Sequence, residues 1–327
     1  MELLLYFLML IVGFVFLIKG ADFFIVSSSS IARKFNVSPL VIGLTLVAFG
    51  TSLPELGVSF IAAIRGSSEI AMGNVIGSNI ANLTLILGFS AIMMPVAVKK
   101  SIYRQEFPFL VVITILISVL AFFFQGTDHQ IVWWESIILL LFFAFYMYLM
   151  FKSQKEADVS DEIHVIDMKK AVLLLIFGLL GVSVGGFLVT SGAEYISVEL
   201  LEKVFLVERT RAITLVGLSI VALGTSLPEL VTSVMAAKKG ENEIALGNVI
   251  GSNVFNTLLI VGLTGVVVPL KINNDVLIDT VILIFITAIT IFFAFTKQKI
   301  SKIEGYFLVI MYFSYIAYII VRAIYFM

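Results

Sequence analysis

The chain contains no cysteine, which excludes disulfides, thiolate metal sites and thiol nucleophiles. Histidine is almost as scarce. His129 and His164 are the only two, and both lie between apolar runs, with nothing linking them to the motifs below. No nucleotide loop, histidine-based acid/base pair or nucleophile elbow is present, so no enzyme class is indicated. Charge is the third shortage. Only 13% of the 327 residues are charged and 60% are hydrophobic, whereas a soluble domain runs at about 25% charged and about 45–50% apolar. Too little polar surface remains to coat a water-soluble globule of this size. The net charge of −1 points to neither nucleic acid nor acidic partners.

What fills the chain instead is a series of apolar runs of roughly 20 residues, the length that crosses about 30 Å of hydrocarbon. They predict about ten spans, near residues 3–27, 38–64, 69–96, 107–125, 131–151, 170–198, 210–237, 242–270, 275–296 and 303–325. The first run lacks a basic leader and a small-residue cleavage site, and reads as a retained helix. Pro108 suits a first helical turn, and Trp133 and Trp134 mark a membrane interface. The longest polar stretch, Lys152 to Lys170, holds Glu156, Asp158, Asp161, Glu162 and Asp167. It divides the chain into a first half (1–151), a linker (152–169) too short to fold alone, and a second half (170–327). With the N-terminus outside, the inner loops collect about 14 basic residues and the outer segments about 6. The positive-inside rule therefore puts both termini outside and the linker in the cytoplasm.

The strongest signal is self-similarity. Residues 43–88 and 217–262 align without a gap at an offset of 174, with 29 of 46 positions identical. Each copy carries a GTSLPE block and a GNVIGSN block. Five spans separate corresponding points, and an odd number reverses direction. The expected fold class is an all-α membrane protein of ten helices in two inverted five-helix repeats, an architecture of many secondary transporters with the site near the midplane. Small residues in the repeat also suit plain helix packing, but packing does not call for a carboxylate in mid-span.

Each copy has one: Glu55 in the second span and Glu229 in the seventh. An acid near the bilayer centre costs about 2.5–3.5 kcal/mol on insertion scales, and persists where it meets water, a counter-charge or an ion. No lysine or arginine lies in the body of the motif spans, so mobile cations are the natural counter-charge. Two protonated, inert glutamic acids are the bland alternative. Thr51 and Ser52 precede Glu55 by four and three residues, as Thr225 and Ser226 precede Glu229, placing these oxygens on the carboxylate's face. Pro54 and Pro228 cannot bond the carbonyls of Gly50 and Gly224, which predicts a kink exposing backbone oxygens beside each glutamate. In the second block, Asn74, Ser78 and Asn82 form one polar stripe, and Asn248, Ser252 and Asn256 another. Asn74 and Asn248 fit a ligand role and a helix-bracing role equally. An all-oxygen set suits Ca²⁺, which takes about 6–8 oxygens, and argues against Zn²⁺ or Cu²⁺.

The doubled GTSLPE and GNVIGSN blocks resemble the two alpha repeats of the sodium/calcium exchangers, within the calcium/cation antiporter superfamily, and the ten-span layout extends the resemblance over nearly the whole chain. The resemblance implies four clustered cation sites, one for Ca²⁺ and others for Na⁺, used alternately, with three Na⁺ exchanged for one Ca²⁺. Glu55 and Glu229 would bind both ions, with backbone oxygens from Thr51 and Thr225. Ser52, Ser78, Ser226 and Ser252, with the carbonyls of Ala48 and Ala222, would complete the sodium sites, and Asn82 and Asn256 would sit at the centre. Potassium-dependent relatives carry Asp where this chain has Asn82 and Asn256, which disfavours potassium coupling. Some prokaryotic relatives carry one Asp at the position of Asn256. The long regulatory insert of animal exchangers is absent, its slot holding only the 152–170 loop, which suits a prokaryotic plasma-membrane protein without a calcium-sensing domain.

The expected activity is therefore Na⁺/Ca²⁺ antiport by alternating access, with no cofactor and no obligate protein partner. A proton/calcium antiporter is the nearest rival, although proton-using relatives carry further acids in the second block and none stands between Gly73 and Gly88. A cation channel is a more distant one. Gly13, Gly20, Gly178, Gly181, Gly185 and Gly186 make the first and sixth spans candidates for sliding elements, or simply lipid-facing surface. Asp22 and Glu194, near the ends of those spans, read as interfacial or gating charges rather than ligands. Lys19 reads as a snorkelling side chain.

Overall fold

The computed structural model describes residues 2–100, 102–123, 129–152, 166–203 and 222–325. Most of the expected linker (153–165) lies outside them, with His164. So does 204–221, which holds the start of the expected seventh span and residues 217–221 of the second motif copy.

The regular secondary structure of the described residues is helical apart from four two-residue strands. In chain order the helices are α1 (Glu2–Lys34), α2 (Pro39–Thr51), α3 (Leu53–Ile64), α4 (Ser68–Met93), α5 (Phe107–Phe123) and α6 (Trp133–Lys152). After the linker come α7 (Met168–Lys203), α8 (Ala222–Thr225), α9 (Leu227–Lys238), α10 (Asn242–Val267), α11 (Asn274–Lys297) and α12 (Lys302–Tyr325). Seven of these are long and apolar enough to cross a membrane, or eight if the bent pair α2–α3 is one span. The chain is an all-helical, multi-pass membrane protein. Two of the ten expected spans fall short of that count for identifiable reasons. The fourth has 17 described α-helical residues, α5, entered through a π-helical turn at Ile102–Glu106 and bounded at its other end by residues not described. The seventh begins in the residues not described.

Layering follows hydropathy and polarity. The apolar windows of α4 and α10 are 83% buried, whereas those of α1, α6, α7 and α12 are only 17–28% buried. The helices bearing the GNVIGSN blocks thus form the centre, and the uniformly greasy helices form a shell whose leucine and phenylalanine side chains face outward. In water that shell would be a very large apolar patch; in a bilayer it is the lipid contact. The strands tie the first half to the second: Val96–Ala97 pairs antiparallel with Lys299–Ile300, and Gln130–Ile131 with Leu270–Lys271.

The glycines expected on the first and sixth spans do not face lipid. They let α1 and α7 pack backbone to backbone. A Cβ on Gly20 would lie 2.6 Å from the Val182 nitrogen, and one on Gly185 2.6 Å from the Leu17 nitrogen. Gly186 rests instead on Pro228 of α9, with a Cβ there 3.2 Å from the proline Cγ. Close approach of this kind is how small residues join helices in a medium that supplies no hydrophobic drive. Gly20→Ala should therefore overpack the α1–α7 seam and cost about 1–3 kcal/mol. Gly57→Ala, where a Cβ meets nothing within 4 Å, should leave stability unchanged or slightly raised. Thermal unfolding in detergent distinguishes the two, and equal melting points would contradict the seam.

Candidate cation site

The site is built where each motif helix breaks. Pro54 occupies the first turn of α3 and Pro228 that of α9. Proline is at home there, because the first-turn N–H groups have no intrahelical acceptor. The residue at each break leaves the helical region: Ser52 has φ −84°, ψ 4° and Ser226 has φ −89°, ψ 4°. The axis turns by 45° between α2 and α3. The expected kink is therefore present, with its pivot at the serine. Glu55 and Glu229 fall in the first turns of α3 and α9, where the helix dipole favours negative charge.

Both carboxylates are sealed from the outside, at 0% and 1% exposure. Each is held by the other repeat. Ser52 donates to Glu229 Oε1 at 3.1 Å, and Ser226 donates to Glu55 Oε1 at 3.2 Å. The 174-residue offset of the sequence thus reappears as a reciprocal pair of hydrogen bonds. The same exchange recurs one layer out. Thr51 donates to Asn248 Oδ1 at 3.0 Å and Thr225 to Asn74 Oδ1 at 3.3 Å. The amide nitrogens of these asparagines turn to Ser233 and Ser59, at 2.9 and 3.0 Å. Asn74 and Asn248, equally suited by sequence to bracing and to ligation, are engaged through both ends of their amides in bracing bonds.

Other polar atoms of the set are buried without partners. Glu55 Oε2, Glu229 Oε2, Ser252 Oγ, Asn256 Oδ1 and both side-chain polar atoms of Asn82 make no hydrogen bond. An unsatisfied buried polar group costs about 1–3 kcal/mol, more if charged, and most are paired in native proteins. Here five orphaned oxygens come from positions singled out by the sequence. Among the described residues neither glutamate has an ion-pair partner. No three His, Cys, Asp or Glu side chains gather there either, so an ion would take its remaining oxygens from Ser, Asn, carbonyls or water. Ser78 lies beside the centre, its hydroxyl 3.1 Å from that of Ser226. The Ala48 carbonyl accepts the Ser52 N–H at 3.0 Å, leaving a lone pair. Ala222 opens the four-residue helix α8 just ahead of the second break.

Sequence reasoning missed Asn79. It lies off the four-residue stripe, yet it donates to Thr257 at 2.9 Å and accepts from Asn256 at 3.2 Å, fixing the amide of Asn256 so that its oxygen stays free. The doubled Ser-Asn pairs (Ser78–Asn79, Ser252–Asn253) were the available signal. Also unforeseen are the π-helical turns Asn82–Ile86 and Phe255–Ile260. Each widens its central helix at the second asparagine, a feature frequent at functional sites. Ser27 to Ser30 of α1 are all buried as well, a polar run in an otherwise greasy helix.

A family model described as sodium/calcium exchanger protein matches residues 5–152 and 170–321. The chain belongs to the sodium/calcium exchanger family. A sodium/calcium exchanger of Methanosarcina acetivorans is 35% identical, over 96% of this chain and 97% of its own. An Escherichia coli inner membrane protein, YrbG, is 31% identical, over 81% of each. Among solved structures, the sodium–calcium exchanger NCX_Mj soaked with Na⁺ and Sr²⁺ superposes with a TM-score of 0.80 at 33% identity, covering 96% of this chain and 98% of that one. The family is a class of transporters, not of enzymes, and the ions it carries are Na⁺ and Ca²⁺.

The bracing role of the outer asparagines is open to measurement. Asn248→Ala removes the bonds to Thr51, Ser233 and the Glu229 carbonyl, and should lower stability by about 2–3 kcal/mol in ion-free detergent. An unchanged unfolding midpoint would show that these bonds brace nothing.

Proposed function

We propose that this exchanger-family protein is a secondary antiporter that exchanges Na⁺ for Ca²⁺ by alternating access, in two inverted five-helix halves (1–151 and 170–327) joined by the 152–169 linker. The observation that carries it is the pair of buried carboxylates, each anchored through one oxygen by the opposite repeat while its second oxygen is left without a partner. That is a site prepared for a cation that the protein does not itself supply.

In this reading Glu55 and Glu229 hold both ions. With both ionised the site carries about −2, which one Ca²⁺ neutralises at close range. Na⁺ ions would take separate oxygens: the carbonyls of Thr51, Thr225, Ala48 and Ala222, and the hydroxyls of Ser52, Ser226, Ser78 and Ser252. The Ser52 and Ser226 hydroxyls already donate to the carboxylates, and a hydroxyl that donates its proton keeps lone pairs for a metal. Asn82 and Asn256 face the centre with neutral oxygens. Shared ligands and mutual repulsion make the two loads exclusive. An exchange of three Na⁺ for one Ca²⁺ moves net charge and therefore responds to membrane potential. The names of the Methanosarcina relative and of NCX_Mj support this choice of ions.

The ends of the bundle support the alternation. At the end that the positive-inside count places in the cytoplasm, Asp22 of α1 pairs with Lys239, and Arg33 of α1 with Glu241 at 3.4 Å. These pairs flank a cavity of about 170 Å³ that Ser29 and Ser30 also line. By the sequence repeat Lys239 corresponds to Arg65, and the Gly-Ala-acid run 20–22 corresponds to 192–194, so Asp22 has Glu194 as its counterpart. Arg65 and Glu194 are both exposed and form no ion pair among the described residues. In this reading the Asp22–Lys239 pair is a latch on one face, and its counterpart positions Glu194 and Arg65 form the matching latch on the other. Partly exposed pairs of this kind contribute about 0–1 kcal/mol, which suits latches that must release.

Two experiments test the reading. In liposomes at fixed pH, an outward Na⁺ gradient should drive ⁴⁵Ca²⁺ uptake, and Glu55→Gln or Glu229→Gln should abolish it in protein that still folds. Uptake driven by a pH gradient and indifferent to Na⁺ would identify a proton antiporter instead, and normal exchange in either variant would refute the ligand assignment. For the latches, Asp22→Cys/Lys239→Cys should cross-link and block exchange until reduced. Arg65→Cys/Glu194→Cys should cross-link only under conditions that populate the opposite-facing state, and its failure to do so under every ionic condition would sink the alternation of latches.

A further inference from the structure

The two halves differ at one buried carboxylate outside the cation site. In the second half, Asp279 of α11 receives a two-point contact from Arg322 of α12, at 2.9 and 3.1 Å. In the first half, Glu106, at the entry to α5, accepts from Tyr146 of α6 at 3.0 Å. The two arrangements correspond residue by residue. α6 and α12 start with the same cap, Val132 N–H on Glu135 and Ser301 N–H on Glu304, at 2.8 and 2.7 Å. That offset of 169 carries Tyr146 onto Tyr315. On the partner helices, Thr114 bonds the Leu110 carbonyl as Thr287 bonds that of Leu283, at 2.8 and 2.7 Å. That offset of 173 carries Glu106 onto Asp279.

The arginine has no such counterpart. The position matching Arg322 is 153, a serine. Glu106 is only 4% exposed and has no ion-pair partner among the described residues. Next to it is a cavity of about 450 Å³, lined by Gln105, Phe109, Tyr146, Leu149 and Lys152 as well as Glu106 itself. Phe109 stacks on Tyr146 at 4.7 Å, giving the cavity one aromatic wall. Lys152 is the last residue of α6, so the opening lies where that helix leaves the membrane. The neighbouring Tyr148 and Phe151 face outward.

An anion deep inside, an aromatic wall and a cation at the rim form a charge pattern opposite to that of a zwitterionic lipid headgroup entered amine first. We propose that this cavity is a headgroup site for a phospholipid with a primary ammonium group, as in phosphatidylethanolamine. The ammonium takes the place beside Glu106 that the Arg322 guanidinium holds beside Asp279, and the phosphate is drawn to Lys152. A primary ammonium donates three hydrogen bonds; a choline headgroup donates none and cannot serve the carboxylate in the same way. The proposal is independent of which ions the protein exchanges.

Native mass spectrometry of the purified full-length chain with equimolar phosphatidylethanolamine and phosphatidylcholine tests it. The expected result is one ethanolamine lipid retained several-fold over the choline lipid, with the preference lost in Glu106→Gln, which keeps the shape and an acceptor for Tyr146. The exposed Lys152→Ala, which leaves the fold undisturbed, should weaken retention while keeping the preference. Equal retention of both lipids by the wild type would overturn the proposal. Preference surviving in Glu106→Gln would also overturn it. Displacement of the lipid by free ethanolamine at comparable concentration would assign the site to a soluble amine and sink the lipid source.

Discussion

Burying two carboxylates in the middle of a greasy bundle is the constraint around which the rest of this protein is arranged. Glu55 and Glu229 are closed off from water, and each accepts a hydrogen bond at Oε1 from a serine of the other repeat. Neither repeat therefore makes half a site that could stand alone. The same rule governs the layer around them, where threonines of one repeat reach asparagines of the other. These asparagines in turn hold serines on their own side. The proline and the break at Ser52 and Ser226 turn the serine hydroxyl across to the opposite carboxylate, which an unbroken helix would have aimed elsewhere.

This crossed network explains the division of the molecule into a centre and a shell. The helices with the asparagines are buried over most of their apolar windows. They are further tied by close glycine contacts, such as Gly251, where a Cβ would lie 2.6 Å from the Leu44 carbonyl oxygen. The long pair α1 and α7 pack chiefly on each other through glycine, with small contacts such as Gly186 on Pro228 against the site helices. A shallow, mostly apolar contact has no directional bonds to break. Among the described residues, the ion pairs between α1 and the second half, those of Asp22 and Arg33, gather at one end.

Departures from the repeat are as informative as its fidelity. The central block is copied almost position for position, because the two copies must complete each other. Away from it the halves have diverged. Asp279 is neutralised by Arg322, whereas Glu106 faces a cavity. Asn79 bonds Thr257, but the matching Asn253 bonds the Val249 carbonyl within its own helix, since Leu83 stands opposite where a threonine would be needed. The centre is thus two-fold in its carboxylates and in the serines that reach them, Ser52 and Ser226, but one-sided at Ser78 and Ser252 and in the amides of Asn79 and Asn253.

Much was legible without coordinates. Apolar run lengths announced a membrane protein, the doubled blocks announced two matching elements, and Pro54 and Pro228 announced the breaks. The glutamates stood out because a charge in hydrocarbon demands a reason. These readings depend only on composition and on spacing within one helix, which the backbone imposes locally. Spacing along a helix cannot say what stands across from it. That Ser52 serves Glu229 and not Glu55, that Asn74 and Asn248 are spent on bracing, that Asn79 aims Asn256, and that the glycines of α1 and α7 meet each other were decided only by the tertiary structure. A hydrogen bond or a close backbone contact exists only at a particular distance and direction, and between helices those are set by the packing of the whole bundle.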